Sequence, residues 1–174
     1  MINNFNEELI KNIQLSDKPK LDIIFQKLIS NKKKLMIVGN GGSASIASHF
    51  SIDFNNVIKK PCLNFSDSSM LTCFSNDYGY ENWISKVIEI YGQKGDILIS
   101  ISSSGESQNI INGINMAKKK GILNISFTGF QNGNTVAKKS DISIWVKSNN
   151  YNIVESVHLI SLLSIIEKYK NINF

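Results

Sequence analysis

Residues 96–107 of the chain, DILISISSSGES, join a short apolar run to a turn of small polar residues. Four of the six residues over 96–101 are apolar, which favours a strand that is buried on both faces of a parallel sheet. A helix is predicted over 108–120, and Gly121 supplies its C-cap. The segment therefore predicts a strand, a Ser/Gly-rich turn and a helix in direct succession.

The same succession occurs once more, nearer the start of the chain. The apolar run at 35–38 ends at Gly39, and the turn that follows reads GNGGS over 39–43. Ser43 or Ser45 can cap the helix that is predicted over 43–55.

Helices and strands continue to alternate along the rest of the chain. Helices are predicted from the helical spacing of apolar residues, and strands from short apolar or alternating runs. Further strands are predicted over 62–65, 123–128 and 142–146. Further helices are predicted over 5–31, 82–91, 135–139 and 152–169, and another helix is predicted to start within 66–71. This order predicts a single α/β domain over 1–174, an αβα sandwich in which helices flank a parallel sheet of about five strands.

The composition fits a globular domain in the cytoplasm. The chain has 174 residues, of which 42% are hydrophobic and 19% are charged, and this is ordinary for a globular domain. No apolar stretch reaches the roughly 18 residues that a membrane span needs. The first 20 residues lack the apolar core of a signal peptide. We therefore expect a cytoplasmic protein without membrane association.

The net charge of +5 does not by itself indicate a nucleic-acid partner. All 19 basic residues are lysine, so the bidentate contacts that arginine makes with phosphate and guanine are missing. Many of the lysines fall at predicted helix ends, where they complement the helix dipole, and in turns. These lysines form short clusters at 32–34, 59–60, 118–120 and 138–139. The composition therefore does not predict a nucleic-acid partner.

The two Ser/Gly-rich turns predict a phosphate site. Ligands of open α/β sheets bind where the strands end, glycine lets the backbone approach an anion closely, and the N–H groups of the next helix point at it. The spacing of Gly39, Gly41 and Gly42 differs from a dinucleotide fingerprint, and no P-loop lysine follows. We therefore expect a small phosphorylated ligand and no nucleotide cofactor; the alternative is that the turns only cap helices.

Four short motifs, in their order along the chain, resemble the sugar isomerase (SIS) domain family. They are GNGGS at 39–43, HF at 49–50, NDYG at 76–79 and SSSGES at 102–107. Within that family the sequence is most similar to the phosphoheptose isomerases and to a related bacterial protein that binds the replication initiator. The resemblance extends over about 5–169 and implies a homotetramer with sites between subunits, in which the N-terminal helix over about 5–31 packs in the oligomer.

The resemblance also implies which residues bind the sugar phosphate. The serines of the second turn would hold the phosphate, and the first turn and the NDYG segment, taken as a loop, would contact the sugar. The residues assigned in this way are Asn40, Gly41, Gly42, Ser43, Asn76, Asp77, Ser102, Ser103, Ser104 and Ser107.

The acid/base and metal positions of the family are altered in this sequence. Aldose–ketose isomerisation needs a base that moves a proton between C1 and C2 through an enediol, and zinc can polarise the carbonyl. Where the family has His, Glu, Gln and His, this chain has His49, Asp53, Glu155 and Leu163. Leu163 can neither bind a metal nor move a proton.

Two hypotheses for the chemistry remain open. In the first, His49, Asp53, Glu155 and His158 bind zinc, since their i, i+4 and i, i+3 spacings place each pair on one helix face. In the second, Glu155 is the base of a metal-free site and His158 opens the sugar ring. Glu155, Asp53 and His158 are thus the candidate catalytic residues. Structural alternatives are a packed His158, an Asp53 paired with lysine, and a Glu155 placed for the helix dipole.

Two functions follow from these hypotheses. The first is a sugar-phosphate isomerase of the phosphoheptose isomerase type, which supplies heptose for surface polysaccharide such as lipopolysaccharide or capsule. The second is a non-catalytic SIS protein that binds a sugar phosphate or docks to a protein partner such as a replication initiator. Leu163 favours an altered substrate or a loss of catalysis.

Overall fold

A parallel sheet forms the centre of the fold in the computed structural model, which describes residues 2–173. Its five strands, in chain order, are β1 (Leu35–Gly39), β2 (Cys62–Asn64), β3 (Ile97–Ser102), β4 (Leu123–Thr128) and β5 (Ile142–Trp145). Their order in space is β2-β1-β3-β4-β5, and every neighbouring pair is parallel. The predicted α/β fold with five parallel strands is confirmed.

Helices cover both faces of the sheet. They are α1 (Ile2–Gln14), α2 (Lys18–Ser30), α3 (Gly42–Asp53), α4 (Ser68–Tyr78), α5 (Trp83–Tyr91), α6 (Gln108–Lys119), α7 (Thr135–Lys139) and α8 (Tyr151–Asn173). A π-helical turn, Phe54–Ile58, directly follows α3. Within 2–173, no helix is both long enough and apolar enough to cross a membrane.

Strand β3 supplies side chains to two separate cores. Successive side chains of a strand point to opposite faces of the sheet. Ile97, Ile99 and Ile101 pack into the core formed with α2, α3 and α8, whereas Leu98 packs into the core formed with α5 and α6. Because β3 is buried along its whole length, the turn that follows it starts from a rigid position.

The predicted single helix over 5–31 is wrong, because the chain breaks between α1 and α2. Asp17 ends the break: its carboxylate accepts a hydrogen bond from the backbone N–H of Lys20 at 3.0 Å, and Pro19 occupies the first turn of α2. Asp and Pro at these positions are a typical start signal of a helix. Helix α1 packs on the start of α8 through Phe5, Leu9 and Ile13.

Candidate functional site

A cleft of about 280 Å³ opens where β1 and β3 end. In a parallel sheet of this strand order, the crevice between these two strands is the point where ligands bind. Both Ser/Gly-rich turns and the start of α8 line it. The lining residues are Asn40, Gly41, Gly42, Ser43, Ile101, Ser102, Ser103, Ser104, Ser107, Tyr151 and Glu155. The fold therefore brings together eight of the ten residues predicted to bind the sugar phosphate.

The first turn is held tightly by its glycines and by an amide pair. Gly41 has a φ of 54°, a region that glycine enters without strain. The Nδ2 of Asn40 donates to Oδ1 of Asn109 at 2.9 Å, and the Nδ2 of Asn109 donates back to Oδ1 of Asn40 at 2.8 Å. Since Asn109 is a buried residue of α6, this pair fixes the first turn to the helix that follows the second turn.

The second turn lines the cleft with hydroxyl groups. The Oγ of Ser102 donates to Oγ of Ser107 at 3.3 Å, and the Oγ of Ser104 accepts from the N–H of Glu106 at 3.3 Å. The hydroxyl of Ser103 is buried without a hydrogen-bond partner among the described residues. A side chain at Gly105 would collide with Asn134, 2.0 Å from the nearest atom. The turn is thus rigid, and one buried hydroxyl in it lacks a partner.

Two helix N-termini meet at the cleft without side-chain caps. The N-cap residues are Gly41 for α3 and Ser107 for α6, and neither makes a side-chain cap hydrogen bond. In α3 the N–H groups of Ser43 and Ala44 bond to the carbonyls of Asn40 and Gly41. The helix dipole still places partial positive charge at both N-termini. No lysine lines the cleft. An anion would therefore be held here by N–H groups and hydroxyls.

Glu155 places a carboxylate directly on the first turn. Ser43 donates its hydroxyl hydrogen to Oε1 of Glu155 at 3.4 Å. A Cβ added to Gly42 would lie 2.2 Å from Oε2 of Glu155, so only glycine leaves room for the carboxylate. Tyr151 lies one helical turn earlier on α8 and lines the same cleft. The site thus combines anion donors with one carboxylate, the set that a proton transfer on a phosphorylated substrate needs.

His158 does not reach the cleft, and this corrects its expected role as a metal ligand or ring-opening group. Its side chain is fully buried, its Nε2–H donates to the carbonyl of Thr128 at 3.1 Å, and its ring packs edge-on against Phe127. Burial lowers the pKa of His158 to about 4. His158 therefore anchors α8 to β4 as a neutral core histidine.

The four predicted zinc ligands are not brought together within one chain. His49 and Asp53 contact each other on α3, with 3.3 Å between Nε2 and Oδ2. An α-helix rises about 1.5 Å per residue, so Asp53 lies about 15 Å along α3 from Ser43, which Glu155 contacts. Among residues 2–173, no three His, Cys, Asp or Glu side chains are grouped for a metal ion. The pair on α3 is separate from Glu155.

Asn76 and Asp77 also lie outside the cleft of their own chain. They are exposed residues of α4 rather than part of the predicted loop, and Asn76 donates to Asp77 at 3.1 Å. The hydroxyl of Tyr80, which follows α4, donates to Oδ1 of Asn40 at 3.1 Å. Tyr80, Asn109 and Tyr151 are site residues that sequence reasoning missed, and only Tyr151 had a signal, its i, i+4 spacing from Glu155.

The comparisons with known proteins agree with this architecture. The SIS domain family matches residues 6–129. The phosphoheptose isomerase of Fusobacterium nucleatum is 37% identical over 160 residues, which cover 89% of this chain and 80% of that protein.

Two solved structures are similar over nearly their whole length. The phosphoheptose isomerase of Neisseria gonorrhoeae superposes with a TM-score of 0.89 at 25% identity, covering 97% of each chain. The one from Francisella tularensis superposes with a TM-score of 0.90 at 25% identity, covering 98% of this chain and 96% of that chain.

His158 should make the stability of the fold depend on pH. The unfolded chain takes up a proton as the pH falls below the ordinary histidine pKa of 6.5, whereas the folded protein does so only near 4. The free energy of unfolding should therefore fall by up to about 3 kcal/mol as the pH is lowered from 6.5 to about 4. Above pH 6.5 the full stability should be retained. Urea unfolding of wild type and His158→Gln should show a flatter pH dependence in the variant.

The matched control for this experiment is Ser140→Ala, which removes a hydroxyl bonded to the carbonyl of Val136 and no titratable group. It should keep the pH dependence of the wild type. An unchanged dependence in His158→Gln would contradict the neutral, buried state of His158.

Proposed function

The chain belongs to the SIS domain family, and we propose that it is an isomerase that interconverts the aldose and ketose forms of a sugar phosphate. The observation that carries this proposal is the carboxylate of Glu155 beside the two uncapped helix N-termini. The relative from Fusobacterium nucleatum is named phosphoheptose isomerase, so the proposed substrate is a heptose phosphate, sedoheptulose 7-phosphate. We place this reaction in the cytoplasm, in the supply of heptose for surface polysaccharide.

The phosphate would bind at the N-terminus of α6, within the second turn, because Glu155 already lies against the N-terminus of α3. The serines of the second turn line the cleft there. A phosphate there would accept hydrogen bonds from hydroxyls and N–H groups without a charged side chain. This leaves the far end of the open-chain sugar to lie toward Glu155.

Glu155 would act as the base. Its carboxylate removes the proton from the carbon next to the carbonyl, which gives the enediolate, and returns this proton to the former carbonyl carbon. A proton passes from the hydroxyl that becomes the new carbonyl to the oxygen of the former carbonyl, so that the exchange balances. The hydrogen bond from Ser43 fixes one carboxylate oxygen at 3.4 Å, and Gly42 gives the other oxygen room to reach the cleft.

Zinc does not fit the residues that one chain brings to this cleft. Glu155 is the one predicted ligand there, while His158 is buried and the pair on α3 is remote. No step of the mechanism is therefore derived through a metal ion.

We further propose a homotetramer with sites that are completed between subunits. Large aliphatic side chains are exposed on α1, α2, α3 and α8, the helix layer on one side of the molecule; they are Ile10, Ile23, Ile52, Ile160 and Ile172. Large exposed apolar surfaces usually mark protein interfaces. The half-exposed pair of His49 and Asp53 flanks Ile52 on α3, so a neighbouring protomer would cover it.

A second function is favoured by one substitution. Leu163 stands where the family has a histidine, and it can take no part in acid/base chemistry or metal binding. A protein that binds the sugar phosphate without turnover, or docks to a partner protein, would keep the two turns that bind the phosphate (the cradle, 39–43 and 102–107) but would not catalyse the reaction. Binding without turnover would identify this function.

Glu155→Gln should lower kcat by at least about 100-fold, because the amide cannot accept the proton. The measurement is interconversion of ketose and aldose phosphates, followed by proton NMR. Glu167→Gln, an exposed residue of the same helix, should keep full activity. Full activity of Glu155→Gln would remove this residue from the mechanism.

Ser104→Ala with Ser107→Ala should weaken binding of the sugar phosphate at least about tenfold, since each hydrogen bond to a charged group contributes about 1.5–3 kcal/mol. Isothermal titration calorimetry measures the change. The control is Ser140→Ala with Ser164→Ala, two hydroxyls that bond only to carbonyls of their own helices. Equal affinity of the Ser104/Ser107 double variant and the wild type would contradict the assignment of the second turn to phosphate binding.

Ile52→Glu should dissociate the tetramer, because the new charge would be buried at the interface. Ile90→Glu is the control, since Ile90 is similarly exposed, 60% against 65% for Ile52, but lies on α5. Analytical ultracentrifugation should find tetramers of the wild type and of the control variant. A monomeric wild type would refute the assembly.

A further inference from the structure

Lysines precede every strand of the sheet. They are residues 32–34 before β1, 59–60 before β2, 94 before β3, 118–120 before β4 and 138–139 before β5. Because all five strands are parallel, their amino ends lie along the same edge of the sheet. These eleven lysines define what we call the amino edge.

Little of this positive charge is neutralised. Lys34 pairs with the buried Asp96 at 2.5 Å, and it is the one lysine of the amino edge with a carboxylate partner within 2–173. The carboxylate of Asp141 accepts a hydrogen bond from the backbone N–H of Asn124 rather than pairing with a lysine. Seven of the lysines are exposed, namely Lys32, Lys33, Lys59, Lys94, Lys118, Lys119 and Lys138.

A general enrichment in lysine would spread these residues over both edges. The connections that leave the opposite, carboxyl edge are 40–41, 65–67, 103–107, 129–134 and 146–150, and they contain a single lysine, Lys147. The helix dipole favours lysine only within the last helical turn. Lys60 donates to the carbonyls of Ile29 and Asn31 at the end of α2. Residues 32–34 and 94, however, lie beyond the α-helices, so the dipole does not account for them.

The amino edge does not serve the sugar-phosphate cleft. Strand β3 has six residues, and at about 3.3 Å per residue it separates the two edges by roughly 20 Å. The cleft itself contains no lysine. The positive edge therefore fits an anion other than the substrate.

We propose that the amino edge binds the phosphate backbone of nucleic acid without reading its sequence. Five strands at about 4.8 Å spacing span about 19 Å, and one nucleic-acid strand places a phosphate about every 3.4 Å along the helix axis. The edge can thus lie along about five or six phosphates. Lysine contacts phosphate as a point charge, and without arginine the edge has no bidentate contact to base edges.

The chemistry of the edge fits nucleic acid better than a membrane surface. A protein that lies on an anionic membrane inserts apolar side chains between its lysines. Large apolar residues are exposed directly before β3, at Ile90 and Tyr91, the last two residues of α5. The residues between the other lysine clusters and their strands, at 31, 61, 121–122 and 140–141, include none of the large exposed apolar residues of the described chain. In the sequence these lysine clusters are separate, and only the parallel sheet aligns them.

The test is fluorescence anisotropy of the full chain with labelled DNA of arbitrary sequence, double- and single-stranded. We expect a Kd of about 10⁻⁴–10⁻⁶ M at physiological salt and a slope of about −4 to −5 for log K against log salt on the duplex. Two unrelated sequences should bind alike. The quadruple variant Lys32→Gln, Lys33→Gln, Lys94→Gln and Lys118→Gln should bind at least about tenfold more weakly and with a slope smaller in magnitude by about 3.

A matched variant removes the same number of charges away from the amino edge: Lys11→Gln, Lys18→Gln, Lys20→Gln and Lys147→Gln. It should bind nucleic acid like the wild type, and neither variant should change binding of the sugar phosphate. Absence of binding, a slope near zero, or an equal loss in both variants would overturn the proposal. Binding only to vesicles of anionic lipid, and not to nucleic acid, would overturn it too.

Discussion

The register between β1 and β3 is the constraint on which the site depends. It pairs Gly39 with Ile101, so the two strands end at the same level and both turns begin side by side. A shift by one residue would turn the alternating side chains of β3 to the wrong faces, and the two cores that bury them oppose such a shift. The hydrophobic cores thus fix the distance between two groups of hydrogen-bond donors.

Parallel topology also separates charge along the molecule. Helices that return to the start of the next strand direct their N-termini, and their partial positive charge, to the carboxyl edge. An anion can be held there by N–H groups and hydroxyls without a lysine, and the residues that line the cleft include Glu155 but no lysine. The lysines lie at the other end of the strands, so a carboxylate base and a strongly basic surface coexist in one small protein without cancelling each other.

Local signals made most of the fold predictable from the sequence. The buried runs at 35–38 and 96–101, and the glycines and serines that end them, act within a few residues of one another. The break at Asp17 was also local, and the Pro19 that accompanies it could have revealed it. The burial of His158 was different, because it depends on Thr128 and Phe127, residues of another element. The role of Asn109 could not be predicted either, because its hydrogen-bond partner Asn40 is distant in sequence.

The central claim is that this cleft moves a proton between adjacent carbons of a phosphorylated sugar. The most direct measurement is proton NMR of sedoheptulose 7-phosphate incubated with the protein in D₂O. The account predicts that solvent deuterium enters at C1 or C2 as the aldose forms. If the sugar phosphate binds, as line broadening would show, but neither deuterium nor aldose appears, the claim is contradicted and the cradle serves binding alone.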